Sequence, residues 1–268
     1  MRRRYLLLGA LIGLGACGAE LAGVFWTAPP SGVLRGVPDP DGLWVATFNM
    51  NFERVDASTV AAVAALEADV IFLQETHADW QAQLSSLSSH PHQRFVSAPA
   101  EGGLGVVSRL PLGEVVVSSP PGVRFPGACL DVETPQGRLS VLHLHLLPPL
   151  SDSGSLLVGY LSTPEGRLAE LVAHLGCGGG GHDLVLGDLN EGEGLTTARL
   201  AAEGFTEAQR AIGPPEPTWG WDAGPGTLRG RPDHVFVGPR LEATAAQVVL
   251  RGGASDHHPL RVQVRVRP

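Results

Sequence analysis

Leu184-Val185-Leu186-Gly187-Asp188-Leu189-Asn190 is the stretch on which the reading of the fold turns. Three apolar residues bounded by glycine read as a short, buried strand. An acid and an amide then follow at the strand's end. The pattern recurs along the chain. Val70-Ile71-Phe72-Leu73 runs into Gln74-Glu75, the apolar stretch 43–48 runs into Asn49, and Val141-Leu142-His143-Leu144-His145 ends on a histidine. Asp233 stands just before Val235-Phe236-Val237, and Ser255-Asp256-His257-His258-Pro259 stands just before the alternating stretch 260–266. Polar side chains gathered at the ends of apolar strands are how a layered α/β protein assembles a cleft.

Between these strands the pattern supplies helices and punctuation. Residues 56–67 read as an Ala/Val-rich helix with Asp56 or Ser58 as its cap. Residues 78–87 read as a second helix, and 165–175 as an amphipathic one with Leu168, Leu171, Val172 and Leu175 on one face. A further helical segment falls at 196–202. Strands are expected at 104–108, 114–117, 128–133, 138–146, 235–237, 243–250 and 260–266, and a loop at 148–163. This order is neither a pure βαβ series nor a meander. It predicts a four-layer α/β sandwich, with two packed, mixed, mainly antiparallel sheets flanked by helices.

The chain has 268 residues and 43 % hydrophobic content, enough for one large core. Its net charge of −8 argues against broad, charge-driven attraction to nucleic acid but leaves local phosphate binding open. There is no lysine, so arginine carries all the fixed positive charge. Arg2, Arg3 and Arg4 precede an apolar run over 5–16, too short to span a membrane and suited to a signal peptide. Leu14-Gly15-Ala16-Cys17 has the form of a bacterial lipobox. Residues 1–17 are therefore expected to be an export signal with Cys17 as a lipid-attachment site, the alternative being plain secretion. Proline and glycine over 18–42 suggest a linker, leaving 43–268 as a catalytic domain. Cys129 and Cys177 remain, as one disulfide or as two buried thiols.

Each polar position also has a bland reading. Asp188 and Asn190 point the same way if extended, but Asp-Leu-Asn also suits an Asx turn. Glu75 is a good ligand for Mg²⁺ or Mn²⁺, or else a solvated loop residue. Asn49 can bind a phosphate oxygen or simply close a turn. His143 and His145 share a strand face; His145, nearer the strand's end, is the better catalytic candidate. His257 becomes acid–base equipment if a carboxylate such as Asp233 orients it.

Taken in order, these segments resemble the endonuclease/exonuclease/phosphatase superfamily, also called the deoxyribonuclease-I-like family. The resemblance is carried by Thr47-Phe48-Asn49, Leu73-Gln74-Glu75-Thr76, residues 105–112, His145-Leu146, Gly187-Asp188-Leu189-Asn190, Arg231-Pro232-Asp233-His234 and Ser255-Asp256-His257. It implies that Glu75 is the main metal ligand, with Asn49 and Asp256 close by. It implies that Asp188 and Asn190 orient the attacking water and hold the phosphate. His257, supported by Asp233, would touch the scissile phosphate, and His145 matches a second histidine of the deoxyribonuclease and sphingomyelinase branches.

The expected function is phosphodiester hydrolysis with a Mg²⁺-activated water, nuclease-like in chemistry, by a monomer outside the cytoplasm. The alternatives are a phospholipid or phosphoinositide esterase, which a membrane tether favours, and a non-catalytic scaffold lipoprotein. The substrate is a nucleic acid or a phospholipid head group. Arg229 and Arg231 are candidate phosphate contacts. The glycines at 178–181 lack the Lys-Ser/Thr of a phosphate loop and read as a connector.

Overall fold

Alternation of apolar strands with short helices continues through the computed structural model, which describes residues 28–150, 154, 156–222, 226–250 and 252–267. The first half runs β1 (Arg35–Gly36), β2 (Leu43–Asn49), α1 (Ala57–Ala64), β3 (Val70–Gln74), α2 (Ala78–Leu84), β4 (His92–Val96) and β5 (Leu104–Ser108). There follow β6 (Val116–Ser118), β7 (Gly127–Thr134), β8 (Gly137–His145), α3 (Leu156–Ser162), α4 (Pro164–His174) and β9 (Leu184–Asp188). The last part runs α5 (Leu195–Ala202), β10 (Thr206–Glu207), α6 (Ala208–Ile212), β11 (Trp219–Asp222), β12 (Thr227–Gly230), β13 (Asp233–Val237), β14 (Leu241–Val248) and β15 (Leu260–Val266).

The strands make two large sheets and a separate hairpin. One sheet has seven strands in the order β1-β14-β15-β2-β3-β5-β4, and the other six in the order β10-β13-β9-β8-β7-β6; β11 and β12 pair alone. Inner faces of both sheets share one apolar core, in which Val45, Phe72 and Val262 meet Leu130, Val141, Leu186 and Val235. Outside the first sheet, Val63 and Leu66 of the α1 segment and Trp80 and Leu84 of α2 cover Phe48 and Ile71. Outside the second, Leu171 of α4 and Leu200 of α5 cover Leu142, Val185 and Phe236. This is the expected four-layer sandwich, each sheet buried on both faces.

Each sheet contains one parallel pair, β2 with β3 and β8 with β9; the remaining neighbours run antiparallel. In register, Asn49 lies beside Gln74 and His145 beside Asp188. The antiparallel β13 brings Asp233 opposite Asp188, and β15 brings Leu260 opposite Thr47, so the turn 255–259 arrives at the same edge. Carboxyl ends of four strands and amino ends of two others therefore meet at one place.

Local chemistry agrees with most of the expected elements. Asp56 caps α1, its side chain accepting from the Ser58 N–H. α4 starts with proline at its first position. Gly187 does not end its strand, as expected from sequence; it lies inside β9 at φ 133°, and a Cβ there would sit 1.9 Å from the Leu144 carbonyl oxygen. Only glycine lets β9 approach β8 that closely just before Asp188.

Several expectations are corrected. The stretch 148–163 contains helix α3, hidden in sequence because Leu156-Leu157-Val158-Gly159-Tyr160-Leu161 has no polar face to set a period. On α4, Val172 is exposed while Arg167 and Glu170 face inward, because both find buried partners. β4 and the β11–β12 hairpin were not anticipated; their sequences are polar or glycine-rich and only partly buried. Cys129 and Cys177 form a disulfide. Domain contacts begin upstream of Leu43, inside the expected linker: β1 pairs with β14, and Ser31 donates to the Glu216 carboxylate. The expected signal peptide at 1–17, with Cys17, lies outside the described residues. Among the described residues, no helix is long and apolar enough to cross a membrane.

Gly187→Ala combines a backbone clash with a left-handed φ. We expect it to destabilise the protein by roughly 3 kcal/mol or more in urea unfolding, whereas Gly137→Ala, also at positive φ but with nothing within 4 Å of its Cβ, costs much less.

Candidate active site

Asn49 is the hub of the cleft. Its Nδ2 donates to Glu75 Oε1 and to Asp188 Oδ2, each at 2.9 Å, so it bridges the two sheets. Its own Oδ1 accepts from the Asn51 N–H, and Asn51 Nδ2 donates to Asp256 Oδ1 at 2.8 Å. Trp219 Nε1 donates to the other oxygen of Asp256 at 2.9 Å. A continuous line of hydrogen bonds thus joins Asp256, Asn51, Asn49, Glu75 and Asp188.

Two histidines face this line. His145 Nε2 lies 3.8 Å from Asp188 Oδ2 and 4.0 Å from Glu75 Oε1. Its Nδ1 is 3.2 Å from the Glu101 carbonyl, an acceptor only, so Nδ1 carries a proton and donates it there. Phe125 stacks against it with ring centroids 4.7 Å apart. His257 Nε2 lies 3.9 Å from Asp188 Oδ2, and its Nδ1 is 2.9 Å from Asp233 Oδ2. Thr218 Oγ1 donates to that same Asp233 oxygen at 2.6 Å.

The charges follow from these contacts. Burial pulls the His257 pKa down, but the Asp233 carboxylate, its hydrogen bond, Asp188 and Asp256 outweigh burial and raise it to about 10. Burial pushes Asp233 upward as well. One proton is shared by this pair, and the field of two further carboxylates places it on the imidazole. For Asp256, burial works to raise the pKa, but His257, Asn51 and Trp219 together lower it.

Backbone strain clusters here. Asn51, Glu75 and Asn190 all hold positive φ, at 62°, 62° and 53°. Asn190 is therefore not extended, and it does not point with Asp188 as expected from the sequence. Its N–H donates to Asp188 Oδ1 and its Nδ2 to the Leu146 carbonyl, so it holds Asp188 and the end of β8 in place.

The expected phosphate-binding arginines are placed differently. Arg231 lies in the cleft wall, bonded to the Gly192 carbonyl and 3.7 Å from both Glu193 and Glu207. Arg229 sits on β12, its guanidinium 3.5 Å from the Thr227 carbonyl, opposite Gly220, whose N–H donates to the Asp256 carbonyl. Sequence reading missed Asn51, Thr218 and Phe125. It also missed Glu191, whose buried carboxylate takes the N–H groups at the start of α5 and the Arg167 guanidinium while its carbonyl meets His234 Nε2. Glu191 follows Asn190 directly, so this anchoring fixes the loop after Asp188. The one available signal was its charge beside an apolar strand.

The donor set fits a hard divalent cation. The Asn49 amide N–H groups gather the Glu75 and Asp188 carboxylates at one place, and carboxylate oxygens are what Mg²⁺ and Mn²⁺ prefer. Asp188, Asp233 and His257 also bring ligand atoms within 4.8 Å of one another. A protonated His257 opposes a cation there, which favours the Glu75 side.

Residues 46–257 match the Endonuclease/Exonuclease/phosphatase family. The chain belongs to that family. Solved structures show the same fold: TDP2 of D. rerio humanised by 14 mutations (15 % identity, TM-score 0.63, 84 % of this chain and 100 % of that one), an endonuclease/exonuclease/phosphatase from Beutenbergia cavernae (23 %, 0.58, 84 % and 72 %), and the human nocturnin catalytic domain with bound sulfate (15 %, 0.59, 90 % and 100 %). No curated protein matches the chain significantly in sequence. Family members of this kind hydrolyse phosphoester bonds, and the fold described above is theirs.

Behind the site, His143 is fully buried between the sheets with Nε2 2.7 Å from the Gln74 side chain, and burial lowers its pKa to about 3. Its unfolded value is about 6.5. The unfolded chain therefore binds the proton first, and stability present above pH 6.5 is lost as pH falls toward 3. We expect His143→Gln to flatten the acid-side fall in urea stability by up to about 1.4 kcal/mol per pH unit across that window, as read from unfolding midpoints at several pH values.

Proposed function

We propose that the protein is an exported, divalent-metal-dependent phosphodiester hydrolase whose chemistry is nuclease-like. The observation that carries this reading is the meeting of Glu75 and Asp188 on Asn49, with His145 and His257 facing the same oxygens. A phosphodiester repels nucleophiles because its oxygens are negative, and hydrolysis requires that charge to be offset. Glu75 would hold the cation, with Asn49 Nδ2 fixing its carboxylate and Asp256 nearby, and the cation would supply charge neutralisation at the phosphate.

The protein's own groups supply the rest. Asp188 is fixed by two amides, Asn49 Nδ2 and the Asn190 N–H, and offers its remaining lone pairs to an attacking water. The His257 imidazolium presents Nε2–H toward the cleft, where it can donate to a phosphoryl or leaving oxygen. Asp233 and Thr218 hold it in that orientation from behind. His145 presents Nε2 beside the same carboxylates. Water oxygen forms a bond to phosphorus, the ester oxygen leaves, and the proton balance is closed between Asp188 and the histidines.

Bis(4-nitrophenyl) phosphate tests this reading. Purified protein is expected to release nitrophenolate with Mg²⁺ or Mn²⁺, to stop with chelator and to recover on metal addition. His257→Gln is expected to lower kcat by roughly 10²–10⁴, and Glu75→Ala to abolish metal-dependent turnover, with near-native unfolding midpoints. An inert but folded protein would instead favour the scaffold reading.

Export and anchoring form a second part of the proposal, supported by the basic, apolar and Leu-Gly-Ala-Cys sequence at residues 2–17. In a bacterial host the full chain should fractionate with membranes, and Cys17→Ser should release it. Identical fractionation of the two would refute anchoring through this cysteine.

A further inference from the structure

Beside the reacting groups runs a groove of about 580 Å³ that the catalytic reading does not use. His257 and Asn190 form its inner end, so it is continuous with the site. Pro148, Pro149, Leu150, Tyr160, Pro217 and Trp219 give its wall an apolar character. Such a volume suits one bound organic group and not an extended polymer.

Its charges also select an occupant. Among the described lining residues, Glu191, Glu193 and Glu216 stand against a single guanidinium, that of Arg231. That guanidinium is already within 3.7 Å of Glu193 and Glu207. A polynucleotide needs cations along its path for each phosphate; beyond His257 at the inner end and Arg231, the described lining residues supply none, and their carboxylates are already paired with Arg35, Arg167 and Arg210. Hydrocarbon carries no charge to be repelled and gains from leaving water. The lining also offers exposed hydrocarbon: Leu150 is 45 % exposed.

Gly192 borders the groove. It lines the cavity one residue after Glu191, and a Cβ built there meets only the Arg231 carbonyl oxygen, at 3.8 Å. Its φ lies outside the left-handed region, so the backbone accepts other residues. Neither strain nor packing explains glycine at 192, whereas space for an occupant does.

We propose that this groove holds the hydrocarbon chain of a lipid-like phosphoester whose phosphate sits at Glu75, Asp188 and His257, and that the missing side chain at Gly192 sets its width. The proposal rests on the phosphoesterase reading above and names its substrate class. Leu150 and Gly192 act in specificity and touch none of the reacting atoms.

Binding of ethyl-, butyl- and octylphosphonate to the Mg²⁺-loaded protein, measured by titration calorimetry, tests it without requiring turnover. A groove that buries the chain should tighten binding about threefold to fourfold per methylene until the space is filled, giving at least about 30-fold from ethyl to octyl. Gly192→Leu and Leu150→Asp, made separately so that misfolding of one does not decide the matter, should each cut that octyl-to-ethyl ratio at least fivefold. Equal affinities along the series, or a single-stranded oligonucleotide binding more tightly than octylphosphonate, would overturn the proposal. Hydrolysis of methyl 4-nitrophenyl phosphate, measured alongside, separates the two failures. A flat phosphonate series with hydrolysis intact removes the groove assignment alone, and absent hydrolysis removes the enzyme reading.

Discussion

Everything in the cleft depends on two parallel strand pairs, one in each sheet, whose carboxyl ends arrive at the same point. Backbone pairing sets Asn49 beside Gln74 and His145 beside Asp188. Antiparallel β13 and β15 then necessarily enter from that edge, bringing Asp233 and His257. A strand slipped by one residue would turn each of these side chains to the opposite face. Gly187 protects the register where it matters most, since it alone allows the Leu144 carbonyl to pass so close to β9. The shared apolar core beneath holds both sheets at a fixed separation, so the bridge from Asn49 to Asp188 is a consequence of packing as much as of hydrogen bonding.

Such convergence concentrates negative charge. Glu75, Asp188, Asp233 and Asp256 lie together in a partly desolvated space, where like charges are costly. The protein answers with short polar donors in place of arginines. Asn49, Asn51, Trp219, Thr218 and backbone N–H groups each satisfy a named carboxylate oxygen. His257 supplies a cation between Asp188 and Asp233. Neighbouring arginines are committed elsewhere: Arg124 to Glu101, Arg167 to Glu191 and Arg231 to Glu193 and Glu207. The remaining negative charge is what a hard cation would compensate.

What sequence revealed and what it hid divide along physical lines. Apolar runs ending in Asn49, Glu75, His145 and Asp188 were legible because strand burial imposes composition and the ends expose function. Asp233 and His257 were legible as polar residues at strand beginnings, although their 2.9 Å contact spans 24 positions and no local pattern encodes it. Asn51 and Thr218 were invisible for the same reason, as each finds its partner across the fold. Asn190 was misread because a period of two assumes extended backbone, and φ of 53° breaks that assumption. α3 lacked a polar face, so no helical period marked it. On α4 the pattern chose Val172 for the core, whereas buried partners drew in Arg167 and Glu170.

Reaction and selection are built from different materials here. Residues that would move protons and hold a cation project from strand ends, where the sheets fix them within hydrogen-bonding distance of each other. Walls of the neighbouring groove come mostly from outside the two large sheets, with Pro148, Pro149, Gly192, Pro215 and Pro217 among the described lining residues. Proline suits this task because it stiffens a loop without introducing an unsatisfied N–H donor into an apolar wall. Five prolines line the groove, and the acidic residues among them are anchored by Arg35, Arg210 and Arg231 or by the α5 amino terminus. A surface stiff, apolar and closed to polyanions narrows what can be esterified to the phosphate while leaving the chemistry at Asp188 and His257 unchanged.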